Sequence, residues 1–280
     1  MKANSDNLPK ISIITPSYNQ GKYIEDNIQS VLNQNYINFE HIIIDGGSTD
    51  STVEILKKYP HLKWVSESDE GQSDALNKGL AMSTGEIIGW INSDDYYEVD
   101  IFQDVANAFR DSSALWVIGL LKKFYEDINL IDPIVCPEIT YSKLIEDPDI
   151  VKQQCTFFRK SAIESVGGWN KELYMVMDYD LWIRLSKQSA PLMVQKDWAF
   201  FRYYDGQKTS YKNIIIQAGE IQLLLKKEGV SFLKRKWFLV KRYKYVLKGV
   251  LKSLLVRLGV ISKKYSGIPL SLHKRKSIDE

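Results

Sequence analysis

Glu86-Ile87-Ile88-Gly89-Trp90-Ile91-Asn92-Ser93-Asp94-Asp95 is the stretch that sets the fold class of this 280-residue chain. Its apolar run has strand length, carries β-branched residues and stops abruptly at four polar positions. A strand without polar alternation is buried on both faces, as the central strands of α/β sheets are. Working outward, Ile11–Thr15 and His41–Asp45 read as two more buried strands and Leu62–Val65 as a short one. Gly21–Asn33, Ser51–Lys58 and Gln72–Met82 read as the helices between them. This alternation predicts an α/β fold, Rossmann-like, with a mostly parallel central sheet and helices on both faces. Ligands of such sheets bind at the carboxyl ends of the strands. Three of those ends carry polar clusters: Pro16-Ser17-Tyr18-Asn19, Asp45-Gly46-Gly47-Ser48-Thr49-Asp50 and Asn92-Ser93-Asp94-Asp95. Further on, Ala114–Leu120 reads as a strand, 125–150 as polar and turn-rich, and Tyr179–Lys187 as a helix entered through acids.

With 44% hydrophobic and 26% charged residues, the chain can bury a sizeable core. Its two cysteines, Cys136 and Cys155, provide no disulfide framework and no Cys-rich metal site, which fits a reducing compartment. Residues 1–10 lack the apolar run of a signal peptide, and nowhere do 18 apolar residues follow one another. The expectation is a cytoplasmic protein that does not cross a bilayer. Charge divides the chain. Residues 1–225 hold 21 Lys and Arg against 32 Asp and Glu, a net of −11, while 226–280 hold 16 against 3, a net of +13. We therefore expect two parts, an acidic domain over 1–225 that could hold a cation and a basic, amphipathic helical extension over 226–280 that could meet an anionic surface.

Asp94 and Asp95 offer hard oxygen ligands to Mg²⁺ or Mn²⁺, and such an ion can bridge them to a diphosphate. An ordinary turn or helix cap accounts for the same composition. Gly46 and Gly47 let a nucleotide approach the backbone, Asp45 suits a base N–H or a ribose hydroxyl, and Asp50 suits a helix cap. Neither a GxGxxG nor a GxxxxGK[ST] motif occurs, which argues against dinucleotide and P-loop sites. Asp74, Asn77 and Lys78 recur at i, i+3 and i+4 and share one helix face, with Lys78 in place to approach a phosphate. A solvated face with an Asp74–Lys78 ion pair explains that spacing equally well. Asp178 and Asp180 open a helix, where capping explains both, and stand two residues apart, so at most one of them points into a cleft, and Asp178 is preferred as a general base. Trp169 is a candidate for acceptor contact, with Asp180 on the same side. The three histidines form no zinc pattern.

On a helical wheel, Leu247, Leu251, Leu254 and Leu258 fall within about 60° of one another, and Lys241, Lys248 and Lys252 within about 40° on another side. Residues 234–258 thus predict an amphipathic helix for an anionic membrane surface. Packing of that stripe on the body is the competing explanation. No nucleic-acid module accompanies the charge, so no nucleic acid is expected.

Taken together, the ordered motifs resemble the family 2 glycosyltransferases of the GT-A fold, over roughly residues 10–205. The matching pieces are Ile13-Ile14-Thr15-Pro16-Ser17-Tyr18-Asn19, Ser30-Val31-Leu32-Asn33-Gln34 and Asp45-Gly46-Gly47-Ser48-Thr49-Asp50. They continue with Gly71, Ala75, Asn77 and Gly79, then Thr84-Gly85-Glu86, Asn92-Ser93-Asp94-Asp95 and Met177-Asp178-Tyr179-Asp180-Leu181-Trp182. The resemblance implies an inverting enzyme that moves one sugar from a UDP, GDP or dTDP sugar to a glycan or lipid-linked acceptor. It implies that Thr15, Pro16 and Asp45, with Asn19 of the same turn, border the base and ribose. Asp94 and Asp95 would serve the ribose, the diphosphate and a Mn²⁺ or Mg²⁺ ion, and Asp178 would be the base. Asp74, Asn77 and Lys78 are counted on the donor side.

Three departures stand out. Gly46 replaces a second aspartate that can contact uracil, Asn92 replaces the first acid of the usual Asp-x-Asp, and Met177 replaces a glutamate. Polysaccharide synthases of this family add membrane spans and a Gln-x-x-Arg-Trp motif, both missing here. The expectation is one sugar per encounter, as in building lipopolysaccharide, capsule or a glycolipid, at the inner face of the plasma membrane. Two rival readings stand beside it: a nucleotide-sugar-binding or nucleotidyl-transferring α/β protein, and a non-catalytic scaffold that docks partners through its basic tail.

Overall fold

The computed structural model describes residues 8–126, 130–134, 137–204, 207–208, 213–240, 243, 247 and 251. At its centre lies β1 (Ile11–Ser17), buried along its whole length. β2 (Phe39–Asp45) runs parallel to it on one side and β4 (Ile87–Trp90) on the other, with β3 (Lys63–Ser66) parallel beyond β2. Side chains alternate between the faces of β2, and the packing follows. Ile43 meets Ile24 and Ile28 of α1 (Ile24–Leu32) and Ile55 and Leu56 of α2 (Thr52–Leu56). Ile42 and Ile44 meet Ala75 of α3 (Gln72–Met82) on the opposite face. α3 lies so close to β1 that any side chain at Gly79 would collide with Ile14.

The chain runs outward from β1 to β3 and returns to β4 on the other flank of β1, which makes the β1–β4 seam the topological switch point. The two strands part early. Pairing of β1 with β4 ends at Ile14–Trp90, whereas pairing with β2 continues to Ser17–Asp45. Ile91 donates its N–H to the Ile14 carbonyl at 3.2 Å and Gly46 to that of Ser17 at 2.8 Å, so Ile14 and Pro16 face the β4 side. Pro16 stands where β4 has already left, and its missing N–H forfeits no ladder bond.

The later elements are β5 (Tyr96–Tyr97), α4 (Ile101–Arg110), β6 (Trp116–Tyr125), β7 (Leu130–Ile134), α5 (Tyr141–Glu146), β8 (Thr156–Arg159), α6 (Lys160–Ser165), α7 (Met177–Ser186), β9 (Leu192–Tyr203) and α8 (Ile214–Lys227). The sheet order is β3-β2-β1-β4-β8-β6-β9-β5, with β7 on β6. β8 is antiparallel to both β4 and β6, and β5 is antiparallel to β9. The expected mostly parallel sheet is therefore corrected to a mixed one: parallel from β3 to β4 and antiparallel at β8 and β5. Antiparallel neighbours need no crossover helix, so strand-helix alternation carries no record of them. The turn-rich 125–150 region holds β7 and α5.

The described residues within 1–122 and 133–201 form one compact unit, and those within 123–132 and 202–251 form another. In the first unit, Trp182 of α7 stacks on Trp116 at 5.7 Å and on Phe158 at 5.4 Å, tying α7 to β6 and β8. In the second, Arg202 lies over Phe124 at 5.7 Å, and α8 buries Ile214, Ile221, Leu224 and Leu225. The charge boundary at 225/226 falls within α8. Residues 232–240 are helical, as are 243, 247 and 251. Lys241, Lys248, Lys252, Leu254 and Leu258 lie outside the described residues. Among the described residues no helix is long and apolar enough to cross a membrane.

His41 on β2 is fully buried, with Nε2 2.9 Å from Thr15 Oγ1 and no partner at Nδ1. A buried bare lone pair costs less than a buried unpaired N–H, which favours the tautomer protonated at Nε2. Burial pushes its pKa down to about 3, helped by the charge of His61. Protonation therefore disfavours the folded state: His41 destabilises nothing above the unfolded pKa of about 6.5, and stability falls as pH drops from there toward 3. Glu40 adds an acid-side loss of its own. Burial would raise its pKa, but hydrogen bonds from Lys63, Ser12, the Thr84 backbone and Lys10 outweigh that and lower it. Its contribution is full above the unfolded carboxylate pKa and fades as pH falls toward the folded one. We expect His41→Gln, which keeps a partner for Thr15, to remove up to about 1.4 kcal/mol per pH unit of the slope between pH 6 and 4. Urea melts of both proteins across that range check this; identical slopes refute it.

Candidate active site at the strand ends

The loops after β1 and β2 are zipped together. Asn19, in the left-handed region at φ 53°, accepts from Thr49 N at 2.9 Å and donates its own N–H to Ser48 Oγ at 2.7 Å. Asp50 accepts from Gly21 N at 2.8 Å and Thr52 N at 3.0 Å. Asp45 is 0% exposed and accepts from Ser48 N, Ser48 Oγ and Ser66 Oγ at 2.9, 2.5 and 2.7 Å. Thr15 is buried, its hydroxyl shared by His41 and Asn27, and Pro16 is buried beside it. In this conformation the side chains of Asp45 and Thr15 shape the loops, while Asn19 and the neighbouring Tyr18 stand exposed at the rim.

Beside Gly46 lies a carboxylate that the sequence did not single out. A Cβ at Gly46 would sit 2.9 Å from Asp69 Oδ2, so the Asp69 side chain fills space that a larger residue would take. Asp69 Oδ1 accepts from Gly71 N at 2.9 Å.

After β4, the turn Asn92–Asp95 is closed by Asp95 N donating to Asn92 O at 3.0 Å. Asn92, at the first position of the acidic motif, is held by protein. Its Oδ1 accepts from Gln72 Nε2 at 2.8 Å and Trp90 Nε1 at 3.0 Å, and its Nδ2 donates to Gln153 Oε1 at 3.1 Å. Asp95 is 1% exposed and accepts from Gln154 Nε2 at 2.9 Å, whereas Asp94 is half-buried.

The polar face of α3 meets the segment that leads to α7. Asp74 pairs with Lys171, and with Lys78 at 3.2 Å; Lys78 also reaches Glu67 at 2.8 Å. The hydrogen bond from Lys171 holds the Asp74 carboxyl down at about 2 despite burial, with the Glu70 backbone and Lys78 assisting. Asn77 grips the Trp169 backbone with both ends of its amide, accepting from N at 2.9 Å and donating to O at 2.7 Å. Asp74, Asn77 and Lys78 thus have protein partners, and the Asp74–Lys78 pair anticipated from spacing forms. Trp169 itself is 2% exposed, edge-on to Trp90 at 5.7 Å, with no partner at its indole nitrogen. Buried this way, its ring presents no open face for stacking a sugar.

Asp178 and Asp180 open α7 with different surroundings. Asp180, 4% exposed, pairs with Arg184 at 2.7 Å, and Arg184 donates onward to Val166 O at 2.6 Å. Asp178 is half-buried and accepts from Tyr179 N at 2.7 Å. One turn along the same face, Trp182 is locked in its aromatic stack, which fixes the direction from which Asp178 projects. Trp90 against Trp169, and Gln72 and Ser73 reaching Asn92 and Leu173 respectively, bring the acidic turn and the approach to α7 to one end of α3.

Residues 12–167 match the family described as Glycosyl transferase family 2. The chain is 30% identical over 251 residues to a chondroitin synthase of Escherichia coli, covering 85% of this chain and 34% of the relative. It spans about a third or less of the length of such curated relatives. Among solved structures, residues 1–349 of S. aureus TarS in complex with UDP-GlcNAc align with TM-score 0.62 and 19% identity, over 76% of this chain and 66% of that one. The mannosyltransferase PcManGT from Pyrobaculum calidifontis, in complex with GDP-Man and Mn2+, aligns with TM-score 0.58 and 16% identity, over 94% and 84%. At these identities the two structures establish a shared α/β fold.

The Asn77 clasp yields a stability test. Asn77→Asp keeps the acceptor for Trp169 N but sets a carboxylate against Trp169 O, so we expect a loss of about 1–3 kcal/mol. Denaturant unfolding measures it, and a loss below about 0.5 kcal/mol would show that the clasp is not holding the loop.

Proposed function

The chain belongs to glycosyl transferase family 2, and from that premise we propose that it moves a single sugar from a nucleotide diphosphate donor to a hydroxyl of a glycan or lipid-linked acceptor, with inversion at the anomeric carbon. The observation that carries this reading is how burial divides two pairs of acids. Asp95 and Asp180 are buried against Gln154 and Arg184, while Asp94 and Asp178 are half-buried; at the start of α3, Gln72 bonds to Asn92 on one of the two segments and Ser73 to Leu173 on the other.

Adjacent carboxylates at a strand end fit Mg²⁺ or Mn²⁺, which take one or two carboxylates and complete their shell with substrate phosphate and water. Among the described residues no three His, Cys, Asp or Glu side chains gather as a metal cage, so Asp94, supported by Asp95, would share such an ion with the diphosphate. When bound, the ion supplies electrostatic stabilisation to the diphosphate as negative charge builds there. Asp178 takes the proton of the incoming hydroxyl as its oxygen bonds to the anomeric carbon and the bond to the diphosphate breaks on the opposite face. The Tyr179 N–H holds the carboxylate in place for that transfer. The strand-end loops around Asp45, Pro16 and Asn19 frame the nucleotide, with Asp69 supplying a carboxylate beside Gly46.

The donor is found by thermal shift against UDP, GDP and dTDP sugars with and without Mn²⁺. With that donor, we expect Asp94→Asn to lose the Mn²⁺-dependent part of binding. We expect Asp178→Asn to retain binding but slow single-turnover transfer by at least about 100-fold. Release of a nucleoside diphosphate distinguishes sugar transfer from nucleotidyl transfer, which would release pyrophosphate. A loss of less than tenfold in Asp178→Asn would remove that residue from the base role.

For the tail, the reading is docking of residues 234–258 on an anionic membrane at its inner face. Support comes from the helical residues 232–240, where Phe232, Leu233 and Trp237 are 60%, 79% and 59% exposed beside Lys234, Arg235 and Lys236. Tyr243, Leu247 and Leu251 continue the exposed apolar positions. Aromatic and basic residues on one helix suit a headgroup interface, where apolar burial and anionic lipid act together. The full chain is expected to co-sediment with phosphatidylglycerol vesicles at low salt. Phe232→Ser with Trp237→Ser should release most of it, and undiminished sedimentation of that variant would count against this docking surface.

A further inference from the structure

Asp95 is pinned at every polar position of its backbone and at its side chain. Its N–H donates to Asn92 O at 3.0 Å, its carbonyl accepts from Asn27 Nδ2 at 2.9 Å, and its carboxylate accepts from Gln154 Nε2 at 2.9 Å. Asn27, fully buried on α1, gives its other amide hydrogen to Asn92 O at 3.0 Å, closing the turn from below. Gln154 is 7% exposed and lies in a single 3-10 turn, Gln153–Cys155, directly before β8. Its neighbour Gln153 donates to Trp90 O and accepts from Asn92, so this turn is bonded to the end of β4 at several points.

A carboxylate removed from water needs donors, and one supplied by a fixed carboxamide also sets its rotamer. With Asp95 immobilised, the adjoining peptide unit and the Cα of Asp94 are fixed as well. We propose that Gln154 is a positioning residue for donor binding: by holding Asp95 it sets the direction in which Asp94 meets the cation and the diphosphate. The inference rests on Asp94 as the metal-side carboxylate. Gln154 touches neither substrate nor ion; it acts through Asp95. β8 was invisible as a strand in the sequence, and its placement antiparallel to β4 is what brings residue 154 under a turn 59 positions earlier.

Isothermal titration of the full chain with UDP and with GDP, in the presence and absence of Mn²⁺, tests this. We expect Gln154→Met, which keeps the apolar stem but lacks the donor, to weaken Mn²⁺-dependent binding about tenfold, the worth of one charge-assisted hydrogen bond. Mn²⁺-free affinity should stay close to wild type, since the fault lies in the aim of Asp94, while the melting temperature should fall because the buried Asp95 carboxylate loses a donor. Adding Asp95→Asn to Gln154→Met should cost little more, because Gln154→Met has already removed the contact through which Asp95 is held. Wild-type Mn²⁺-dependent affinity in Gln154→Met, or equal losses with and without Mn²⁺, overturns the positioning role. If the methionine variant fails to fold, Gln154→Leu is read by the same ratio of affinities. Wild-type protein with no Mn²⁺-dependent binding of either nucleotide overturns the Asp94 reading and this inference with it.

Discussion

The early parting of β1 and β4 is the constraint on which the site depends. Beyond the Ile14–Trp90 pair the two central strands no longer bond to each other, and the backbone groups they leave need other partners. Asn27 fills that wedge from α1, donating to the carbonyls of Asn92 and Asp95 and lying 3.4 Å from Thr15 Oγ1. Thr15 in turn meets His41 on β2. A chain of buried polar groups thus runs from the middle of the sheet to the acidic turn. Each link is costly to leave unpaired in the interior, so the network favours one geometry over many.

The acids at the site follow the same logic. Asp45, Asp95 and Asp180 are almost fully buried, and each has a donor or a cation against it. Asp94 and Asp178, one or two positions away, retain access to solvent. In the function proposed above, a residue that holds the turn stands next to one that meets the ligand, which fixes a charged side chain without burying it. The cost of desolvating a carboxylate falls on the partner that has compensating bonds.

The first half of the fold was legible because its burial is written in local pattern. β1, β2 and α3 emerge at almost their observed limits, and Asp45, Asp94 and Asp178 sit at element ends where chemistry is expected. In the second half, β6 and α7 were legible as a strand over 114–120 and a helix over 179–187, whereas β8 and β9 were not, for the same reason reversed. β8 is four residues long between polar neighbours, and β9 begins with exposed and half-buried positions, so neither displays a period. Gln153 and Gln154 carry no signal as isolated glutamines. Their role exists only once antiparallel pairing sets them beneath a turn some 60 residues earlier in the chain.

α3 shows why spacing alone left its reading open. Asp74, Asn77 and Lys78 share a face, and a shared polar face fits a ligand and a solvated surface alike. The Asp74–Lys78 pair forms, and the same face also contacts a distant segment of the chain. Ser73, Asp74 and Asn77 meet Leu173, Lys171 and Trp169 in descending order, so that segment runs antiparallel along the helix. At the start of the same helix Gln72 holds Asn92. One rigid element, lodged against β1 at Gly79, therefore sets the spacing between the acidic turn and the approach to Asp178. Chemistry that needs reacting groups held within a few tenths of an ångström depends on such a ruler, and a helix packed tightly enough to forbid a methyl group is a stiff one.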